Sequence, residues 1–160
     1  MPENISDLSK RQRQMEVNRV ALRMKTYYHG DVDKVQHFVR VYTLARSIGE
    51  LEKLSDDEQE YLELAAVVHG IEDNDAVPAV RDILKSCGID DDVNMRVCHI
   101  VDNMDNYEHI GSLDHQILVE ARMIVKFKED GTPSDEIVRV AEERFITNTG
   151  KLFLKRAFDV

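Results

Sequence analysis

An all-α fold is what this sequence predicts, and three observations predict it. Apolar residues recur every three or four positions along almost the whole chain, the spacing that lines one face of a helix. No stretch alternates apolar and polar residues as a half-buried strand would. Turn punctuation is sparse, with 7 glycines and 3 prolines in 160 residues, so long uninterrupted elements are expected. Seven or eight helices account for the pattern. At this length they form one domain over residues 1–160, with about five N-terminal residues lacking fixed structure.

The first helix is predicted from about Ser6 to Tyr28, with Val20, Met24 and Tyr27 on its apolar face. Gly30 and the acidic Asp31-Val32-Asp33 interrupt it. The second runs from Asp33 to Gly49 and carries two stripes: Val35, Phe38, Val39, Tyr42 and Ala45, then Val41, Leu44 and Ile48. A helix apolar on most sides belongs in the centre of a bundle. The third opens on Ser55-Asp56-Asp57-Glu58, a capping-box sequence, and ends at His69-Gly70.

A fourth helix is predicted after Pro78, with Val80, Ile83, Leu84 and Cys87, stopped by Gly88. The acids Asp90-Asp91-Asp92 suit the N-terminus of a fifth, striped by Val93, Val97, Ile100, Val101 and Met104. The sixth spans Ser112 to Lys128, and the seventh starts after Thr132-Pro133-Ser134. A break at Thr149-Gly150 introduces a short last helix with Leu152, Phe153 and Ala157. Cys87 and Cys98 fall on apolar stripes and read as small buried hydrophobes, too few for a disulfide framework.

Composition narrows the function. The net charge of −10 disfavours a nucleic-acid backbone as partner, because phosphate contacts need clustered Lys and Arg. The one basic cluster, Lys10-Arg11-Arg13, reads as a solvated helix face. No apolar run approaches the ~20 residues that span a bilayer. The N-terminus, Met1-Pro2-Glu3-Asn4-Ile5-Ser6, has neither the basic start nor the apolar core of a secretory signal. A cytoplasmic protein without a membrane partner is expected. Binding to a partner subunit is one way to cover the first helix, so an oligomer is compatible with the pattern.

Of six histidines, His37 and His69 stand out because each lies inside an apolar helix. A buried imidazole without a partner costs a few kcal/mol, so two of them on neighbouring helices point to a shared partner such as a cation. Acids collect nearby in sequence: Glu72, Asp73 and Asp75 after His69, then Asp102 and Asp105.

The segment Asp33-Lys34-Val35-Gln36-His37, the run Leu64-Ala65-Ala66-Val67-Val68-His69 and the later Leu118-Val119-Glu120-Ala121 together resemble the HD-domain superfamily. The likeness is to its small bacterial single-domain group of metal-dependent phosphohydrolases. It covers roughly residues 20 to 158. It implies an all-helical HD-type bundle and a divalent cation, such as manganese, nickel, iron or magnesium, held by a histidine, a His-Asp pair and a distant aspartate. Hydrolysis of nucleotide or related phosphoesters follows from it. On the positions that match, His37 and His69 take the places of the two metal-binding histidines. Gly70 stands where the aspartate of the pair is expected, and Arg122 where the last metal-binding aspartate is expected. Asp102-Asn103-Met104 stands where related chains have a Gly-His-His segment, which makes Asn103 and Arg122 candidate ligand-binding residues.

These departures change the expected chemistry. Two imidazoles hold a hard cation weakly without carboxylate oxygens. A guanidinium ~4 Å from a divalent ion is repelled by about 8 kcal/mol at an effective dielectric of ~20, and arginine cannot shed its proton. Three readings follow. In the first, the HD-type site is degenerate, its activity lost or weakened, no cofactor is bound, and the pocket of His37, His69 and Arg122 takes a small anionic or phosphorylated ligand. In the second, the chain is an active phosphohydrolase whose metal recruits a substitute carboxylate, with Glu72, Asp73 and Asp102 as candidate catalytic acids. In the third, it is a helical interaction module with an exposed apolar patch.

Overall fold

Buried runs on two helices organise the chain. Every residue from Leu62 to His69 is buried, and so is every residue from Asp114 to Ala121. The computed structural model describes residues 5–71 and 76–160, with side chains from Ser9 onward in the first helix. The described residues form α1 (Ile5–Tyr27), α2 (Val32–Leu51), α3 (Asp56–Val68), α4 (Ala76–Ser86), α5 (Asp91–Asp102), α6 (Leu113–Asp130), α7 (Ser134–Arg144) and α8 (Asn148–Phe158). A short 3-10 turn, Tyr107–His109, lies between α5 and α6. The described structure is all-α, as predicted, with no strand among these residues. The five N-terminal residues expected to lack fixed structure fall almost wholly outside them.

Helix α3 packs against α1, α2, α5 and α6, and α6 packs against α2, α3 and α8. Helix α2, which the sequence pointed to as central, packs against α3, α6 and α8, and α3 and α6 carry the longer buried runs. Helix α2 turns Val39, 38% exposed, toward solvent and buries Phe38, Val41, Ala45 and Ile48. The two stripes read from its sequence are one wide face. In α1 the buried tyrosine is Tyr28, just past the helix end, and Tyr27 is exposed. Both cysteines are buried and free, as expected.

Local chemistry explains most boundaries. Asp31 caps α2 by accepting the Lys34 N–H. The Ser55 hydroxyl oxygen accepts the Glu58 N–H at 3.2 Å, while its O–H donates to the Glu58 carboxylate at 3.0 Å. The Glu58 side chain therefore meets the serine hydroxyl instead of the backbone N–H that a full capping box would use. Helix α4 is already formed at Ala76 and contains Pro78 near its N-terminal end, where a missing N–H is tolerated. Two glycines expected as stops are close-approach points inside helices. At Gly49 a side chain would strike Gln59 and Leu62 of α3, and at Gly150 it would strike the Glu120 carboxylate of α6. Helix α2 accordingly continues to Leu51, and α8 starts ahead of Gly150.

The main apolar core runs from α1 through α6. A smaller cluster of Ile124, Ile137, Phe145 and Leu154 seats α7 and α8 on the outer side of α6. Glu120, fully buried, ties these layers together. It accepts the Thr147 hydroxyl at 2.6 Å, the Ile146 and Thr147 N–H groups at 3.0 and 3.1 Å, and the Gln116 amide at 2.6 Å.

Candidate functional site

His37 lies one turn past Asp33 on α2, and His69 caps the C-terminal end of α3. Packing of the two helices brings their rings together, with Nε2 of one 3.2 Å from Nε2 of the other. The outward nitrogens fix the proton arrangement. His69 Nδ1 is 2.6 Å from the Ala66 carbonyl oxygen, which only accepts, so Nδ1 is the donor. His37 Nδ1 is 2.6 Å from Glu129 Oε1, again an acceptor. With both Nδ1 atoms protonated, neutral rings would set two Nε2 lone pairs against each other. The contact becomes a hydrogen bond only when His37 carries a proton on each nitrogen and donates from Nε2 to His69.

His69 is the acceptor that this arrangement requires. Burial holds its pKa down at about 4, against the opposing pull of the Ala66 carbonyl, and the nearby His37 and Arg122 add to the depression. Near neutral pH it is therefore uncharged. The hydrogen-bonded series runs from Glu129 through His37 and His69 to Ala66.

The pair opens into a pocket of about 550 Å³. Arg122, Lys126 and Glu129, at helical spacing on α6, form one wall, while Asp33, Lys34 and His37 on α2 form another. Tyr28, Ile71, Met104 and Asp105 complete the lining. Arg122 is drawn to Asp105 at 2.7 Å, and it is the less exposed partner, 25% against 74%. Its charge is thus partly screened by an acid standing in solvent.

The described residues do not fit the divalent cation that the resemblance implies. Among them, no group of three or more His, Cys, Asp or Glu side chains is placed to hold a metal. Gly70 offers no ligand, and the space beside it is taken: a Cβ there would lie 2.7 Å from the Tyr28 hydroxyl. Arg122 sets a positive charge on the same cavity.

Of the residues read from the sequence, the structure brings together His37, His69, Gly70 and Arg122. Asp102 and Asn103 do not line the pocket. Asp102 is exposed at the end of α5, and the Asn103 amide is spent on the His99 carbonyl at 2.9 Å. Their helix directs them elsewhere. Glu72, Asp73 and Asp75 lie outside the described residues. Tyr28, Lys34, Lys126 and Glu129 were not anticipated, though helical spacing from His37 and Arg122 marks three of them: Lys34 three residues before His37, Lys126 and Glu129 four and seven after Arg122. Of the remaining histidines, His115 is buried with its Nε2 unpartnered, and burial lowers its pKa. His29, His99 and His109 are exposed. Comparison of the chain with protein-family models, curated proteins and solved structures finds no match to any of them.

Proposed function

We propose that this protein is an HD-type helical domain with a degenerate metal site, whose two-histidine pocket binds a small anionic, phosphorylated ligand without hydrolysing it. The observation that carries the reading is Arg122 lining the same cavity as the histidine pair, with Lys34 and Lys126 at its walls. Arginine engages phosphate bidentately with no bridging cation. Without a bound cation to lower the pKa of a water, no nucleophile of the usual metallohydrolase kind is generated.

The test is calorimetric titration of chelator-treated protein with inorganic phosphate and adenosine monophosphate. Saturable binding, weakened at least ~10-fold in Arg122→Gln and unchanged by added chelator, is expected. Manganese or nickel retained in stoichiometric amount after dialysis, and lost in His69→Ala, would overturn the reading.

One observation favours a second reading. Outward-facing Nδ1 donors leave both Nε2 atoms convergent at 3.2 Å. Two ligands at ~2.0–2.1 Å from one tetrahedral cation stand about 3.4 Å apart, and ligating histidines commonly donate their other N–H in this way. An active phosphohydrolase would need a carboxylate such as Glu72 or Asp73 to complete that site. Chelator-sensitive turnover across a phosphoester panel is its signature.

A further inference from the structure

A second concavity, of about 460 Å³, lies between α1, α2 and α3 on a different part of the surface. Its floor is acidic and buried, since Glu60 and Glu63 of α3 are each 5% exposed. Its mouth is more basic than acidic: Lys10, Arg11, Arg13 and Arg46 stand against Glu50 and Asp56.

The floor is only half satisfied. Glu63 accepts the Gln59 amide at 2.9 Å and the Tyr42 hydroxyl at 3.3 Å. The Glu60 carboxyl meets the Glu16 carboxyl of α1 in a side-chain hydrogen bond, which needs a proton on one of them, and its Oε2 is buried with no other partner. Its other oxygen has Arg13 4.0 Å away, beyond hydrogen-bond reach, because that guanidinium is held by Asp57 at 2.5 Å. Gln59 Oε1 is also buried without a partner. Both orphaned atoms are oxygens with lone pairs to offer, and a buried polar group left unpaired is costly. The one carboxyl proton that Glu60 and Glu16 share can serve a single acceptor, so the floor is short of donors.

We propose that this cleft binds a small zwitterion, its ammonium group seated on Glu60 and its anionic group held among Arg13, Arg46 and Lys10 at the mouth. An ammonium carries three donors on one positive charge. A metal ion is the poorer fit, since no group of three or more ligating side chains converges among the described residues. A simple cation would meet net repulsion at the mouth, and a simple anion would meet it at the floor.

The protonation of Glu60 supplies a signature. Burial, with Glu16 across from it on α1 and Asp57 on its own helix, pushes its carboxyl up to about 8, against the lowering effect of Arg13 on α1. On the α2 side Arg46 acts on Glu63. The free protein therefore holds a proton on Glu60 at neutral pH, and an arriving ammonium displaces it.

Titration calorimetry of the full chain at neutral pH, in two buffers of different ionisation enthalpy, tests this with 4-aminobutanoate, butylammonium and butanoate. The expected result is one site for 4-aminobutanoate, at least ~10-fold tighter than for the other two, with release of up to one proton. Glu60→Gln abolishes the proton release and weakens binding at least ~10-fold. Arg46→Gln weakens 4-aminobutanoate and leaves butylammonium unchanged. Should Glu60→Gln fail to fold by its thermal transition, the proton release of the native chain and the Arg46 variant decide the matter. No saturable heat with 4-aminobutanoate, binding without proton release, or equal binding of either half-molecule overturns the proposal.

Discussion

Tyr28 and Gly70 are a matched pair. The tyrosine hydroxyl fills the space that any side chain at position 70 would need, and the buried ring has little freedom to retreat. Gly70→Ala should cost about 1–3 kcal/mol through overpacking. In a Tyr28→Phe background the oxygen is gone and the nearest ring carbon stands at 3.8 Å, an ordinary contact. Most of the loss should then disappear, and urea midpoints of the four chains in the cycle measure it. Equal losses in both backgrounds would show that the hydroxyl is not the obstacle. A carboxylate introduced at position 70 would meet the same barrier. The glycine at position 70, where the resemblance leads one to expect an aspartate, was visible in the sequence. The residue that closed the gap behind it was not, because it comes from the far end of α1 and no local pattern links the two.

At the scale of elements, Glu120 latches α8 to α6. Four hydrogen bonds converge on its carboxylate, two from backbone N–H groups in the α7–α8 connection. Glu120→Ala leaves the buried Thr147 N–H and hydroxyl and the part-buried Ile146 N–H unpaired, so a loss of about 3 kcal/mol or more is expected. Amide exchange at Ile146 and Thr147 should accelerate most, whereas uniform acceleration across the chain would argue against a local latch. Helix existence and most boundaries were legible from apolar spacing and capping residues. The errors share one physical cause. Glycine in a sequence reads as a stop, but at positions 49 and 150 it is where a neighbouring element passes too close for a side chain. Likewise Glu120 stands in the apolar run Leu118-Val119-Glu120-Ala121, yet its partners are 26 and 27 residues away.

For the whole molecule, a buried acid makes stability fall as pH rises through the acidic and neutral range. The Glu60 carboxyl is raised from an ordinary value near 4.5 to about 8, chiefly by burial. Its stabilising contribution is complete below the ordinary value and is lost as pH rises through about 8. Glu63, also raised by burial, acts in the same direction. Denaturant midpoints should fall as pH rises from about 4.5 to about 8 and level off above that, and Glu60→Gln should flatten the slope. An unchanged slope would place this pH dependence elsewhere. The sequence carried the overall charge and the all-α architecture without ambiguity. It also carried the convergence of His37 with His69, since both lie inside apolar helices. It could not carry the cleft beneath Lys10 and Arg13, because the buried face of α3 that forms its floor looks on paper like any other helix with glutamates.

The division of the apolar interior into a large cluster and a small C-terminal one has a mechanical consequence. A chain assembled this way has a seam. Strain or heat that parts α7 and α8 from α6 would strip away the minor cluster and unclasp one carboxylate, while the rings of His37 and His69 stay joined on the opposite face of the shared helix. A break that opens along that seam leaves the histidine pocket standing.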